Sequence, residues 1–109
     1  MTENTVDFHF AINEDELRDD EMIGVMISLH PILLIKHSGN FYAYENRCAH
    51  LKTPLDSGEL DNGQLICNLH QWRYDVITGA GINPKCVSLC PYEIKRELGR
   101  IYVGLKRES

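Results

Sequence analysis

At 109 residues, with 43% apolar and 25% charged side chains, the chain has the length and balance of one compact domain and no room for a separate catalytic domain. Its formal net charge of −5 argues against nucleic acid as a partner and suits a protein that finds its partners by charge. The longest uninterrupted apolar run, residues 32–35, is far shorter than the roughly 20 residues that span a bilayer, so no membrane association is expected.

The first ten residues are polar and acidic, without the basic start and apolar stretch of a secretion signal, which makes a soluble cytoplasmic protein the expectation. In that reducing setting the four cysteines read as metal ligands or thiols rather than disulfides. Residues 6–10 alternate apolar and polar as a half-buried strand does. Six of the eight residues 14–21 are Asp or Glu, which reads as a solvated turn or short helix more readily than as a docking surface. Strands follow at 22–28 and 32–37, and Ser38-Gly39-Asn40 is a hairpin turn into a strand at 41–44. Further on, 92–96 and 100–105 flank a turn at Gly99. Short strands without a long helical period predict an all-β, antiparallel domain. The interval 47–84 differs: it is rich in Gly, Pro, Asn, Cys and His, with one clear strand signal at 64–66.

Two residue pairs carry the chemistry: Cys48-Ala49-His50 and Cys67-Asn68-Leu69-His70, with sixteen residues between His50 and Cys67. Two loops side by side would present two thiolates and two imidazoles to one site, a donor set for iron or zinc rather than for calcium or magnesium. Zinc fingers usually pair Cys with Cys and His with His, at spacings such as C-x2-4-C and H-x3-5-H. Here each loop supplies one of each, so zinc is the alternative and iron–sulfur the leading reading.

That arrangement resembles the Rieske proteins, whose loops carry C-x-H and C-x2-H and in which two histidines replace two cysteines on one iron of a [2Fe–2S] cluster. The resemblance implies that Cys48 and Cys67 hold one iron, and His50 and His70 the other. Two ferric ions, two sulfides and two thiolates sum to zero, whereas four thiolates would leave a dianion. Reducing the neutral centre is easier, which accounts for Rieske potentials of about −150 to +300 mV against about −400 mV for plant-type ferredoxins.

Respiratory Rieske proteins join their loops by a disulfide and place a serine near a sulfide; the matching positions here are Thr53, Leu69 and Trp72. Tyr74 falls where those proteins have a tyrosine that donates to a cysteine sulfur. Fewer hydrogen bonds to sulfur imply a potential towards the lower end of the range.

Beyond the ligands, His70-Gln71-Trp72, residues 79–84, Cys86, residues 92–95 and Ile101-Tyr102-Val103 are similar to the Rieske ferredoxins of bacterial multicomponent oxygenases, in particular the ferredoxin component of toluene and related aromatic or alkene monooxygenases. The resemblance implies a single Rieske domain over 1–109, built of three antiparallel β-sheets, with a cluster-binding subdomain at about 45–86 and a third loop around Pro84. It also implies an electron carrier between an NADH-dependent flavin reductase and an oxygenase, most readily a di-iron hydroxylase. The ferredoxin of a Rieske ring-hydroxylating dioxygenase and the small subunit of a nitrite reductase are the alternatives.

His9, His30 and His37 lie outside any ligand spacing and read as surface or strand positions. Cys86 and Cys90 read as small buried thiols. Trp72 is read equally as loop packing or as a partner contact, and Arg47, Lys52, Arg73 and Lys85 either keep the loops soluble or dock an acidic partner.

Overall fold

The computed structural model describes residues 6–46, 55, 58–67, 72–83 and 88–106. Its strands are β1 (Val6–Asn13), β2 (Glu21–Ile27), β3 (His30–His37), β4 (Asn40–Glu45), β5 (Glu59–Asp61), β6 (Gln64–Ile66), β7 (Arg73–Asp75), β8 (Gly81–Asn83), β9 (Pro91–Glu97) and β10 (Arg100–Lys106). A 3-10 turn, Glu14–Glu16, follows β1. Every ladder is antiparallel.

The strands fall into three groups, β1-β10-β9, β2-β3-β4 and β5-β6-β7-β8, where three separate sheets were expected. The first two are joined by Ala43 opposite Tyr92 and Tyr44 opposite Pro91, which makes one six-stranded sheet in the order β1-β10-β9-β4-β3-β2. That sheet curls, so that Ile12, Ile101, Val103 and Leu105 of one half meet Ile32, Leu34, Phe41 and Ala43 of the other in a common core. The small sheet is inserted between β4 and β9 and covers the other face of β3 and β4. There Leu33, Ile35 and Tyr44 pack with Leu55, Leu65, Cys67, Tyr74, Val76 and Leu89. Ile32 to Ile35 are all at 0% exposure because the strand is buried on both faces, which is why its sequence is continuously apolar.

Four hairpins close with two residues, both in the left-handed region: Ser28-Leu29, Ser38-Gly39, Asn62-Gly63 and Leu98-Gly99. Such turns match the twist of the strands they join. Beside them the acidic stretch is used locally. Glu16 accepts the Asn13 N–H at 3.0 Å, Asp19 the Gly39 N–H at 2.9 Å and Glu21 the Arg18 N–H at 2.9 Å.

Two expectations are corrected. In β1 the alternation is present but its phase is reversed: Phe8 and Phe10 are 38% and 50% exposed, and Ile12 enters the core only after a register shift between Phe10 and Ile12. The two rings are accommodated outside, Phe10 edge-on to Tyr102 with centroids 6.0 Å apart and the Lys95 ammonium 5.6 Å from the Phe8 ring. In the interval 47–84 the structure adds β5, β7 and β8 to the predicted β6, and Gly81-Ile82-Asn83 is strand. Three residues are too few to display an alternation.

Candidate metal centre

Of the four predicted ligands, Cys67 is described; Cys48, His50 and His70 lie outside the described residues, as do Arg47, Lys52, Thr53, Leu69, Pro84, Lys85 and Cys86. Cys67 follows β6 and is at 0% exposure, in the core with Leu55, Leu65 and the equally buried Tyr74. Its N–H donates to the Trp72 carbonyl at 2.8 Å, which continues the β6–β7 ladder by one rung and closes the base of the segment containing His70.

The segment containing Cys48 and His50 is tied at its base in a similar way. Asn46 donates its N–H to the Pro31 carbonyl at 3.0 Å, and its Oδ1 accepts the Leu55 N–H at 2.7 Å. Leu55, just beyond this segment, is fully buried against Cys67 and its neighbours. The third segment, 84–87, returns at Ser88, bridged to Ala80, and at Leu89, whose N–H donates to the Gly79 carbonyl at 2.8 Å. Leu55, Cys67, Trp72 and Leu89 thus bring the described ends of all three segments to one core.

This arrangement fits a two-iron cluster. Two thiolates and two imidazoles are a suitable donor set, and the donors stand on segments whose bases converge. Among the described residues no group of three or more His, Cys, Asp or Glu could hold a metal ion.

Of the other described residues singled out in the sequence, Cys90 departs from its reading and the three histidines keep theirs. Trp72 is half-buried and packs against the second core, which accounts for it as packing. Arg73 donates to Gln64 Oε1 at 3.0 Å across the β6–β7 hairpin. Cys90 is exposed, not buried; its part is a backbone one, its carbonyl accepting the Glu45 N–H at 2.8 Å. His9 lies in β1, His30 is exposed at the start of β3, and His37 at its end pairs Nδ1 with Asp20 Oδ1 at 2.8 Å.

The seam between the two sheets was not singled out by sequence reasoning. Tyr44, 3% exposed, donates its hydroxyl to the Val76 carbonyl at 2.7 Å. Burial, with smaller contributions from Asp75 and Tyr42, pushes the Tyr44 phenol up to about 12. Gly79, at φ +78°, lies close against the Tyr44 ring: a Cβ there would stand 2.7 Å from Cε1. The Thr78-Gly79 pair after a strand was the only signal available, and it reads as a turn.

Comparison with known proteins agrees with this geometry. Residues 7–93 match the Rieske [2Fe-2S] domain family. The chain belongs to the Rieske [2Fe–2S] family. It is 42% identical to the ferredoxin component of the alkene monooxygenase system of Xanthobacter autotrophicus, over 83% of this chain and 75% of the relative. It is 30% identical to the ferredoxin component of the naphthalene 1,2-dioxygenase/salicylate 5-hydroxylase systems of Ralstonia sp, over 97% of this chain and 100% of the relative. Among solved structures, the ferredoxin of carbazole 1,9a-dioxygenase from Nocardioides aromaticivorans superposes with a TM-score of 0.81 at 23% identity, covering 88% of this chain and 95% of that one, which establishes the shared fold. The protein is therefore a Rieske ferredoxin, an electron-transfer protein with one [2Fe–2S] cluster rather than a catalytic component. No helix among the described residues is long and apolar enough to cross a membrane.

Proposed function

We propose that this Rieske ferredoxin is a single domain over 1–109 that holds its cluster on residues of about 45–86, through Cys48 and Cys67 on one iron and His50 and His70 on the other. It takes single electrons from an NADH-dependent flavin reductase and passes them to the oxygenase of a multicomponent system, in the cytoplasm. The cluster, when bound, supplies a one-electron store. The chain's residues position it: Asn46 and Leu55 anchor one ligand segment, and Cys67 and Trp72 the other.

The convergence of the described segment ends on the core around Cys67 and Tyr74 supports this reading, because the segments that carry the four proposed ligands start from one place. A monooxygenase is favoured as the electron acceptor, since the alkene monooxygenase ferredoxin shares more identity with this chain than the dioxygenase relative does.

The test is spectroscopic. The purified protein is expected to be coloured and, after dithionite, to give a Rieske EPR signal. Cys48→Ala, His50→Ala, Cys67→Ala and His70→Ala should each abolish both. A colourless, EPR-silent protein that contains zinc would end the reading, and a variant that keeps the signal removes that residue from the ligand set. With Thr53, Leu69 and Trp72 at the positions that tune respiratory Rieske proteins, the midpoint potential should fall in the lower part of the family range; a value above roughly +150 mV sinks that point.

A further inference from the structure

The β5–β6 hairpin turns on Asn62-Gly63, the one place where the chain has an asparagine followed by glycine. Every other asparagine precedes a residue with a side chain, and the one before Pro84 meets a nitrogen without a proton. Asn-Gly is the pair most open to deamidation, because no β-carbon hinders the approach of the glycine nitrogen to the asparagine side chain. The chemistry needs only water. A base takes the Gly63 amide proton, the nitrogen bonds to Asn62 Cγ, the Cγ–Nδ2 bond breaks and ammonia leaves. Water then opens the five-membered imide at either carbonyl, which gives aspartate or isoaspartate. Asn62 is exposed, and neither its amide nor the Gly63 N–H has a hydrogen-bond partner among the described residues.

The fold opposes the same step. Asn62 (φ 50°) and Gly63 (φ 79°) form a two-residue turn of the class that directs the Gly63 nitrogen away from the Asn62 side chain. Ring closure therefore needs the turn to open. What keeps it closed comes from the six-stranded sheet. His37, at the end of β3, packs on Gly63: a β-carbon there would stand 3.3 Å from Nε2, and Asp20 holds Nδ1 at 2.8 Å. The Gly63 carbonyl accepts the Val76 N–H at 2.9 Å, and the Val76 carbonyl accepts the Tyr44 hydroxyl at 2.7 Å. β5 and β6 have three residues each, so their own ladder resists opening little. We propose that Asn62 is a deamidation site held in check by this seam. It stays an amide while the hairpin rests on His37 and Val76, and becomes aspartate or isoaspartate once the hairpin lifts. Isoaspartate routes the main chain through Cγ and lengthens the turn by one carbon. The Asp61–Gln64 closing pair cannot keep its register around the longer turn, and Leu65 and Cys67 beyond it are displaced from the core. The conversion runs one way, so molecules whose small sheet has come loose are marked and do not re-form it.

Full-length, cluster-loaded wild type, His37→Ala, Tyr44→Phe and Leu34→Ala are incubated at mildly alkaline pH in heavy-oxygen water, at a temperature where all four stay folded. A synthetic peptide of residues 58–66 is the unstructured reference. Hydrolysis of the imide places one heavy oxygen in residue 62, which mass spectrometry of acid-digested samples counts, and chromatography separates isoaspartate from aspartate. Asn62 should be the first asparagine of the folded protein to convert, and should convert more slowly than in the peptide. His37→Ala and Tyr44→Phe each remove one support of the hairpin and should each speed the conversion about fivefold. Leu34→Ala weakens the other core and should leave the rate unchanged. The site is overturned if Asn62 remains an amide in wild type and in both seam variants while the peptide converts, or if a different asparagine converts first. A wild-type rate equal to the peptide's, or no acceleration in either seam variant, overturns the seam as what holds the site in check. So does an equal acceleration with Leu34→Ala, which would make global unfolding the route.

Discussion

Strands β3 and β4 serve two cores, one on each face, and the two are built by different means. On one side Ile32 and Leu34 look into a core closed by β1 and β10, strands of eight and seven residues. On the other side Leu33 and Ile35 look towards a sheet of four three-residue strands and the ends of the two proposed ligand segments and of the third segment, 84–87. Long ladders with an apolar face can stand on their own, whereas three-residue strands cannot without something to pack against. The small sheet is held by its seam with β3 and β4, and under the proposed ligand set the metal would add to that hold, as binding energy in a metal site is also folding energy. The frame has ladders long enough to stand by themselves, and the cluster sheet needs the frame it packs against.

The largest expected effects compare the two faces directly. Leu33→Ala and Leu34→Ala each empty a fully buried position of one strand, and each should cost about 2–5 kcal/mol in thermal or denaturant unfolding. Their effects on the cluster should separate. Leu33→Ala loosens the core around Cys67 and should speed the loss of visible absorbance on incubation with a chelator. Leu34→Ala, facing Ile101 and Val103, should lower the melting temperature and leave that rate near wild type at temperatures where the protein stays folded. Equal rates of cluster loss would break the comparison.

The same division decides what was legible in the sequence. The frame was readable because its strands are long enough to show a pattern and Ser38-Gly39 and Leu98-Gly99 mark their turns. The Ser28-Leu29 hairpin was not, because leucine is not a residue that predicts a left-handed turn. In β1 the alternation was visible but not its phase, since a bulge after Phe10 exchanges the faces. In the second core the ligand pairs were conspicuous by residue type and spacing, whereas β5, β7 and β8 were too short to register. The seam left no signature either: that Tyr44 meets Val76 and Gly79 depends on contacts more than thirty residues apart in sequence.

That seam is where the next effects are expected. Gly79→Ala must both hold a β-carbon at φ +78° and push the Tyr44 ring, whose Cε1 lies 2.7 Å from the new atom. The combined cost should be about 2–4 kcal/mol. Gly39→Ala has nearly the same backbone, φ +79°, and nothing within 4 Å of the new atom, so it should cost about 1–2 kcal/mol, the backbone part alone. A Gly79→Ala loss no greater than that of Gly39→Ala would mean the two sheets are not in tight contact at Tyr44.

Tyr44→Phe is milder and carries its own pH signature. Removing the hydroxyl leaves the Val76 carbonyl without this donor, for about 1–2 kcal/mol. The Tyr44 phenol is raised to about 12 from an ordinary 10.0, mainly by burial, so the folded protein holds this proton more tightly than the unfolded chain. The stability linked to it is therefore complete below pH 10 and is lost as pH rises from about 10 to 12. Unfolding curves across that range should fall for wild type and fall less for Tyr44→Phe. Parallel curves would show that another group governs the alkaline limit.

The smallest effect belongs to the frame's far end. Glu14 Oε1 accepts from Arg96 Nη2 at 2.9 Å, and that bond holds the carboxyl below its ordinary 4.5. A lowered carboxylate contributes above pH 4.5, and its contribution is lost as pH falls through the folded value. Yet both side chains are open to solvent, 31% and 44% exposed, where salt screens such pairs and their net worth is small. Arg96 is also held without Glu14, by the Gly39 carbonyl at 3.0 Å and by the Phe41 ring, 5.1 Å from its guanidinium carbon. Glu14→Gln should therefore leave the melting temperature unchanged at physiological salt, with at most a slight drop at low salt and neutral pH. A large drop that takes the cluster signal with it would mean that the far end of the frame and the cluster sheet unfold as one unit, and the distinction between a self-supporting frame and an attached sheet would have to be given up.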